Sequence, residues 1–156
     1  MNAKELLILN FQETRRRSIK VWKGIPGILL HWRPDVGAMS CIEMVRHVLE
    51  AENIYHQIIL TGGDPGNFKS PLESNPFLTI EDELRNAQPY REKFLQMVNA
   101  FTQKDLDEID IIRPSLDQKR KLGDYLLRIA YHESVHCGQM LSYLRFAGMP
   151  RPKIWD

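Results

Sequence analysis

The sequence has little that would fix or place it by covalent links or bulk charge. Its 156 residues include two cysteines, Cys41 and Cys137, in no short-spaced pair. That excludes a disulfide framework and a cysteine-based zinc site, and makes a reducing, cytoplasmic setting the expectation. An excess of one charge is also missing. Against 20 acidic side chains stand 21 basic ones, for a formal net charge of +1, so there is no field to gather nucleic acid or an anionic membrane surface. Apolar tracts such as Leu6–Leu9 and Ile28–Leu30 fall far short of the roughly 18 residues of a membrane-spanning helix. The N-terminal stretch has Lys4 and Glu5 before its apolar tract and Asn10, Gln12 and Glu13 after it, unlike a secretory signal. The expectation is a soluble protein that acts on a small-molecule substrate.

What is present is helical. Hydrophobic residues make up 43% of the chain, and at this length roughly 70% of the unfolded surface is buried on folding. A single domain over residues 1–156 is therefore expected. The first helical segment spans residues 3–23, with Leu6, Leu9, Ile19 and Trp22 as its apolar stripe and Arg15, Arg16 and Arg17 as a solvated face. The second opens on a capping box, Ser40 with Glu43, and its stripe of Met44, His47, Val48, Ala51, Ile54, Tyr55 and Ile58 runs to the break at Thr61-Gly62-Gly63. A third begins at Thr79 and carries Leu84, Ala87, Phe94, Val98 and Phe101; Pro89 predicts a kink near residues 86–88 or two helices meeting there. The fourth covers residues 119–146, with Leu122, Tyr125, Leu126, Ile129, His132, His136, Met140, Tyr143 and Leu144 on one face, and ends at Gly148 and Pro150. No segment carries a strong strand pattern. Between the second and third helices, Thr61 to Leu78 holds three prolines and is longer than a turn between antiparallel neighbours requires. The fold class expected is all-α, a four-helix bundle with a long crossover connection, which would help to line the pocket.

Three of the five histidines lie on these stripes. His132 and His136, four residues apart, stand about 40° apart around a helix and about 6 Å apart along it, within reach of one cation. His47 lies on the inward stripe of another helix and would supply a third imidazole. The plainer alternative is a set of core histidines, each hydrogen-bonded through one nitrogen, and for His47 alone it is the better reading. Three unpartnered imidazoles together would cost about 1–3 kcal/mol per unsatisfied nitrogen, whereas one divalent ion satisfies three at once. His31 and His56 do not join the pattern. The run His132-Glu133-Ser134-Val135-His136 also matches the zinc-protease helix motif, but no histidine or glutamate follows it to complete such a site. That leaves Glu133 as a candidate proton shuttle or a flanking carboxylate. Cys137 points about 100° away from His136 and reads as a packing residue.

The sequence as a whole resembles the DinB-like superfamily of four-helix bundles. The resemblance is carried by Thr14-Arg15-Arg16-Arg17, by Trp32-Arg33-Pro34 and Gly37-Ala38-Met39-Ser40, and by the run from Arg46 to Glu52. It continues in His132-Glu133-Ser134-Val135-His136-Cys137-Gly138-Gln139 and in Leu144 to Pro150. Cys137 stands where relatives often have arginine. The resemblance implies that His47, His132 and His136 bind one divalent transition metal, commonly zinc or nickel, and that the protein is a homodimer. It also implies a metal-dependent transferase that moves a low-molecular-weight thiol to a small electrophile. A metal-dependent hydrolase using activated water, and a non-enzymatic, stress-related metal-binding or dimerising module, stand as alternatives.

Overall fold

A computed structural model describes residues 1–155. Its frame is four long helices: α1 (Ala3–Lys23), α2 (Cys41–Thr61), α3 (Ile80–Ala100) and, numbered after the short α4 (Gln103–Glu108), α5 (Leu122–Phe146). This is the expected bundle with its crossover. α1 packs mainly on α5, and α2 on α3 and α5. The starts of these helices are set by side chains that accept from otherwise orphaned backbone N–H groups. Asn2 and Ser40 form capping boxes with Glu5 and Glu43, and Thr79 accepts from the Asp82 amide. Among the described residues no helix is long and apolar enough to cross a membrane.

Four expectations need correction. α3 is one helix through Pro89, which removes the two-helix option of the pair expected there. Pro89 sits on an exposed turn, where the Arg85 carbonyl that loses its partner is open to water. Secondly, the linker after α3 is not irregular: it contains α4 and an antiparallel hairpin of β1 (Asp110–Arg113) and β2 (Gln118–Lys121), in which Asp110 pairs with Lys121 and Arg113 with Gln118. The strands escape detection because β2 reads Gln-Lys-Arg-Lys and carries no apolar alternation. β1 also bridges Gly63 in parallel fashion. A Cβ on Gly63 would lie 2.3 Å from the Ile112 carbonyl oxygen, so only glycine lets the crossover start this close to the strand.

Thirdly, the apolar face of α1 is rotated from the one expected in its N-terminal half, while Ile19 and Trp22 pack inward as expected. Leu6 and Leu9 are exposed, while Leu7, Phe11, Arg15, Ser18, Val21 and Trp22 are buried. The reason is chemical: the buried stripe contains an arginine and a serine, which blank out its hydrophobic signal. Ile54 of α2 is likewise turned outward. Lastly, Arg15 is not part of a solvated face. Its Nε and Nη2 donate to the two carboxylate oxygens of Glu133 on α5 at 2.7 and 3.0 Å, and Nη2 lies 3.5 Å from Glu52 on α2. Glu52 also accepts from Arg91 on α3. All four residues are buried. Two cations and two anions, one from each long helix, thus form a neutral charged layer. Apolar cores lie on both sides, one around Trp22, Ile42 and Met140 and the other around Phe11, Phe94 and Tyr125.

The crossover is fastened by Arg46, whose guanidinium donates to the carbonyls of Leu72 (2.9 Å), Asn75 (3.1 Å) and Pro76 (3.3 Å). The same group pairs with buried Glu83 of α3 and stands 4.3 Å from the centre of the Phe77 ring. Arg46 precedes His47, so the residue that anchors the loop and the first candidate ligand share one turn of α2.

Candidate metal centre

α2 and α5 are neighbours, and His47, His132 and His136 meet between them. The Nε2 atoms of His47 and His132 are 3.2 Å apart, and those of His136 and His132 are 3.1 Å apart. The three rings are tilted or edge-on to one another, with centroids 4.5 to 5.1 Å apart. Each residue is partly exposed. Three ring nitrogens pointed at one place cannot all be satisfied by each other, since a neutral imidazole offers one donor and one acceptor. A tetrahedral zinc ion with Zn–N bonds of about 2.0–2.1 Å holds its nitrogen ligands about 3.3–3.4 Å apart, close to the spacing seen. The donor set fits a divalent transition ion. Among the described residues no other histidine, cysteine, aspartate or glutamate joins this group, which leaves coordination positions for water or another molecule.

Electrostatics keep the donors ready. Burial, reinforced by the neighbouring His136 and His47, lowers the pKa of His132 to about 4; burial and His136 also lower that of His47. Both rings are therefore neutral near pH 7, as ligands must be. The folded-state pKa of His132 lies below its unfolded value near 6.5. Hence the unfolded chain binds more protons between the two values, and the contribution of this residue is fully present above pH 6.5 and lost as the pH falls toward 4. Metal-free protein is expected to unfold at lower urea concentration at pH 5 than at pH 7, with a smaller difference in His132→Asn. An equal midpoint at both pH values contradicts the assignment.

The ring of His136 is oriented from its far side, where Nδ1 donates to Oε1 of Gln139 at 2.7 Å, one turn along α5. This bond fixes the proton on Nδ1 and leaves the Nε2 lone pair free, as carboxylate and amide partners do for metal-bound histidines. Gln139→Ala is expected to weaken metal affinity about 10- to 100-fold with little change in fold, measured by competition with a chromophoric chelator.

The structure does not bring every candidate together. Glu133, expected as a proton shuttle or flanking carboxylate, has both oxygens on Arg15 inside the charged layer. His31 is exposed on the loop before α2, and His56 packs its ring 6.1 Å from that of Phe94. Both cysteines are free and buried, and burial raises their thiol pKa values, that of Cys41 to about 11. Neither is poised as a nucleophile. Residues that sequence reasoning missed include Gln139 and Tyr55, the latter with its ring 5.9 Å from His132. A cavity of about 460 Å³ opens beside His132. Its lining comes from α2, β2 and α5 rather than from the crossover.

Comparison with known proteins agrees with this fold. The family model described as the DinB superfamily matches residues 10–140. YjoA of Bacillus subtilis is 29% identical over 119 residues, covering 75% of this chain and 73% of its own. The crystal structure of YjoA, a DinB-like protein, superposes with a TM-score of 0.72 at 21% identity over 97% of this chain and 98% of that one. YfiT, also from Bacillus subtilis, superposes with a TM-score of 0.75 at 14% identity over 94% and 89% of the two chains. YfiT is described as a probable metal-dependent hydrolase with an unusual four-helix bundle topology. At these identities the two structures establish the fold.

Proposed function

The chain belongs to the DinB superfamily, and from that premise we propose that it is a metal-dependent enzyme in which His47, His132 and His136 hold one divalent ion, zinc or nickel. Its substrate is a small electrophile, to which it transfers a low-molecular-weight thiol. The observation that carries this reading is the convergence of three Nε2 atoms, two pairs of them 3.1 and 3.2 Å apart, with no fourth protein ligand among the described residues. A divalent ion bound there supplies a Lewis acid that stabilises the anionic form of a thiol or of water near neutral pH.

The chain's own contribution is binding and orientation. The three imidazoles are held by two packed helices and face the open side, and Gln139 accepts a hydrogen bond from Nδ1 of His136. A thiol is preferred to water because Glu133, the carboxylate beside His132 in sequence, is paired with Arg15 and is not free to act as the general base that water activation calls for. In the transfer, the sulfur forms a bond to the electrophilic carbon, the leaving group departs with its electron pair, and the thiol proton passes to solvent. Hydrolysis is the second reading, favoured by the description of YfiT.

The test begins with elemental analysis of protein purified without chelator. Metal-loaded protein then receives cysteine with 1-chloro-2,4-dinitrobenzene in one arm and p-nitrophenyl acetate without thiol in the other. Conjugation that scales with metal content and vanishes in His47→Ala supports thiol transfer. Metal-dependent ester cleavage with no conjugation replaces it with hydrolysis. Absence of metal after reconstitution with zinc and nickel ends both.

A further inference from the structure

The cavity beside His132 is lined by Tyr55, Arg120, Arg128, Tyr131, His132 and Val135. Its volume of about 460 Å³ is in the range of small-molecule sites, which combine apolar walls with a few orienting polar groups. Two of the six lining residues are arginines, in a chain with no excess of charge.

Their charges are not equally available. Arg120 donates through Nη1 to Asp124 at 2.8 Å, so its charge is already offset. Arg128 has no carboxylate partner among the described residues. Its Nε, like that of Arg120, is shielded from solvent without an acceptor, and its guanidinium lies 5.7 Å from the centre of the Tyr125 ring. A buried donor left unsatisfied is costly, and a guanidinium fork matches an oxyanion in two parallel hydrogen bonds. The rings of Tyr55 and Tyr131 and the Val135 side chain supply an apolar wall on the same cavity.

We propose that this cavity is the substrate-recognition pocket, and that Arg128 pairs there with the carboxylate of a small aryl- or alkyl-bearing molecule whose reacting end lies toward His132. The inference rests on the function proposed above and names the substrate class for it. At the end of the pocket away from His132, Arg128 is the lining cation without a carboxylate partner among the described residues, and its planar fork matches the two oxygens of a carboxylate. Arg120 borders the pocket and, held by Asp124, contributes hydrogen bonds rather than net charge.

Equilibrium binding of benzoate, its neutral isostere benzamide and phenyl phosphate to the full chain, read by calorimetry and by ring-proton chemical shifts, tests this. The proteins are wild type, Arg128→Gln and Arg128→Lys, each with and without zinc. Benzoate is expected to bind wild type at least tenfold more tightly than benzamide, and to lose about 10- to 100-fold in Arg128→Gln, with partial recovery in Arg128→Lys. Thermal unfolding of each variant establishes that it is folded. Equal binding of benzoate and benzamide, undiminished benzoate binding in Arg128→Gln, or no benzoate binding to wild type overturns the proposal. Tighter binding of phenyl phosphate than of benzoate overturns the carboxylate assignment. Metal content is measured on the same samples. One equivalent of metal with Arg128-independent binding sinks the pocket and spares the metal centre, whereas Arg128-dependent binding to a protein that takes up no metal does the reverse.

Discussion

Replacing Arg15 by alanine is expected to lower the free energy of unfolding by about 3–5 kcal/mol, the cost of leaving one member of a buried ion pair without its partner. Both oxygens of Glu133 are hydrogen-bonded to Arg15, and Glu133 is 5% exposed. Without the guanidinium, that carboxylate either stays charged among apolar neighbours or takes up a proton. Glu52 suffers less because Arg91 still holds it. The double variant Arg15→Met with Glu133→Leu removes both charges together and leaves the Arg91–Glu52 pair in place, so it is expected to be more stable than Arg15→Ala alone. Urea unfolding of the three proteins measures the effect. A loss below about 1 kcal/mol in Arg15→Ala, the range of exposed pairs, contradicts a buried charged layer.

His132→Ala is expected to abolish metal uptake, taking the content from about one equivalent to near none. His132 is the middle member of the triad: its Nε2 is the atom that stands 3.2 Å from His47 and 3.1 Å from His136. Removing it leaves two ligands, His47 on α2 and His136 on α5, whose rings still stand 4.8 Å apart but supply only two donors. In wild type, free metal at a thousand times its dissociation constant stabilises the fold by about 4 kcal/mol. That increment should vanish in His132→Ala while the metal-free stability stays close to wild type, because the ring is only half-buried. Thermal scans with and without zinc, paired with elemental analysis, give both quantities. Metal retained at full stoichiometry by His132→Ala would mean that the ion, if any, sits elsewhere.

The bundle was legible because its signals are local. Ser40 with Glu43 and Thr79 with Asp82 mark helix starts by backbone chemistry that does not depend on the rest of the chain, and Gly62 ends α2 with a left-handed φ of 70°. The three histidines were legible because they interrupt apolar stripes at helical spacing. What the sequence hid was charge in the core. Arg15, Glu52, Arg91 and Glu133 occupy inward positions on four helices, and nothing in one helix reveals that its buried charge will meet an opposite one 118 residues away. For the same reason Arg15 reads as surface and Glu133 as a catalytic neighbour of His132. The hairpin was hidden because its second strand is polar and its stability comes from ladder bonds and from Asp110 pairing with Lys119 and Lys121.

The anchoring of the crossover by Arg46 bears on how the molecule comes apart. One guanidinium holds three loop carbonyls and a buried glutamate of α3, so the loop is fastened to the seam between α2 and α3. Release of residues 72–76 is therefore expected to follow loss of the bundle rather than local fraying. The longest loop in the chain, ordinarily the first place a protease finds, is cut at a rate set by global unfolding, and its resistance to cleavage is a readout of the stability of the entire bundle.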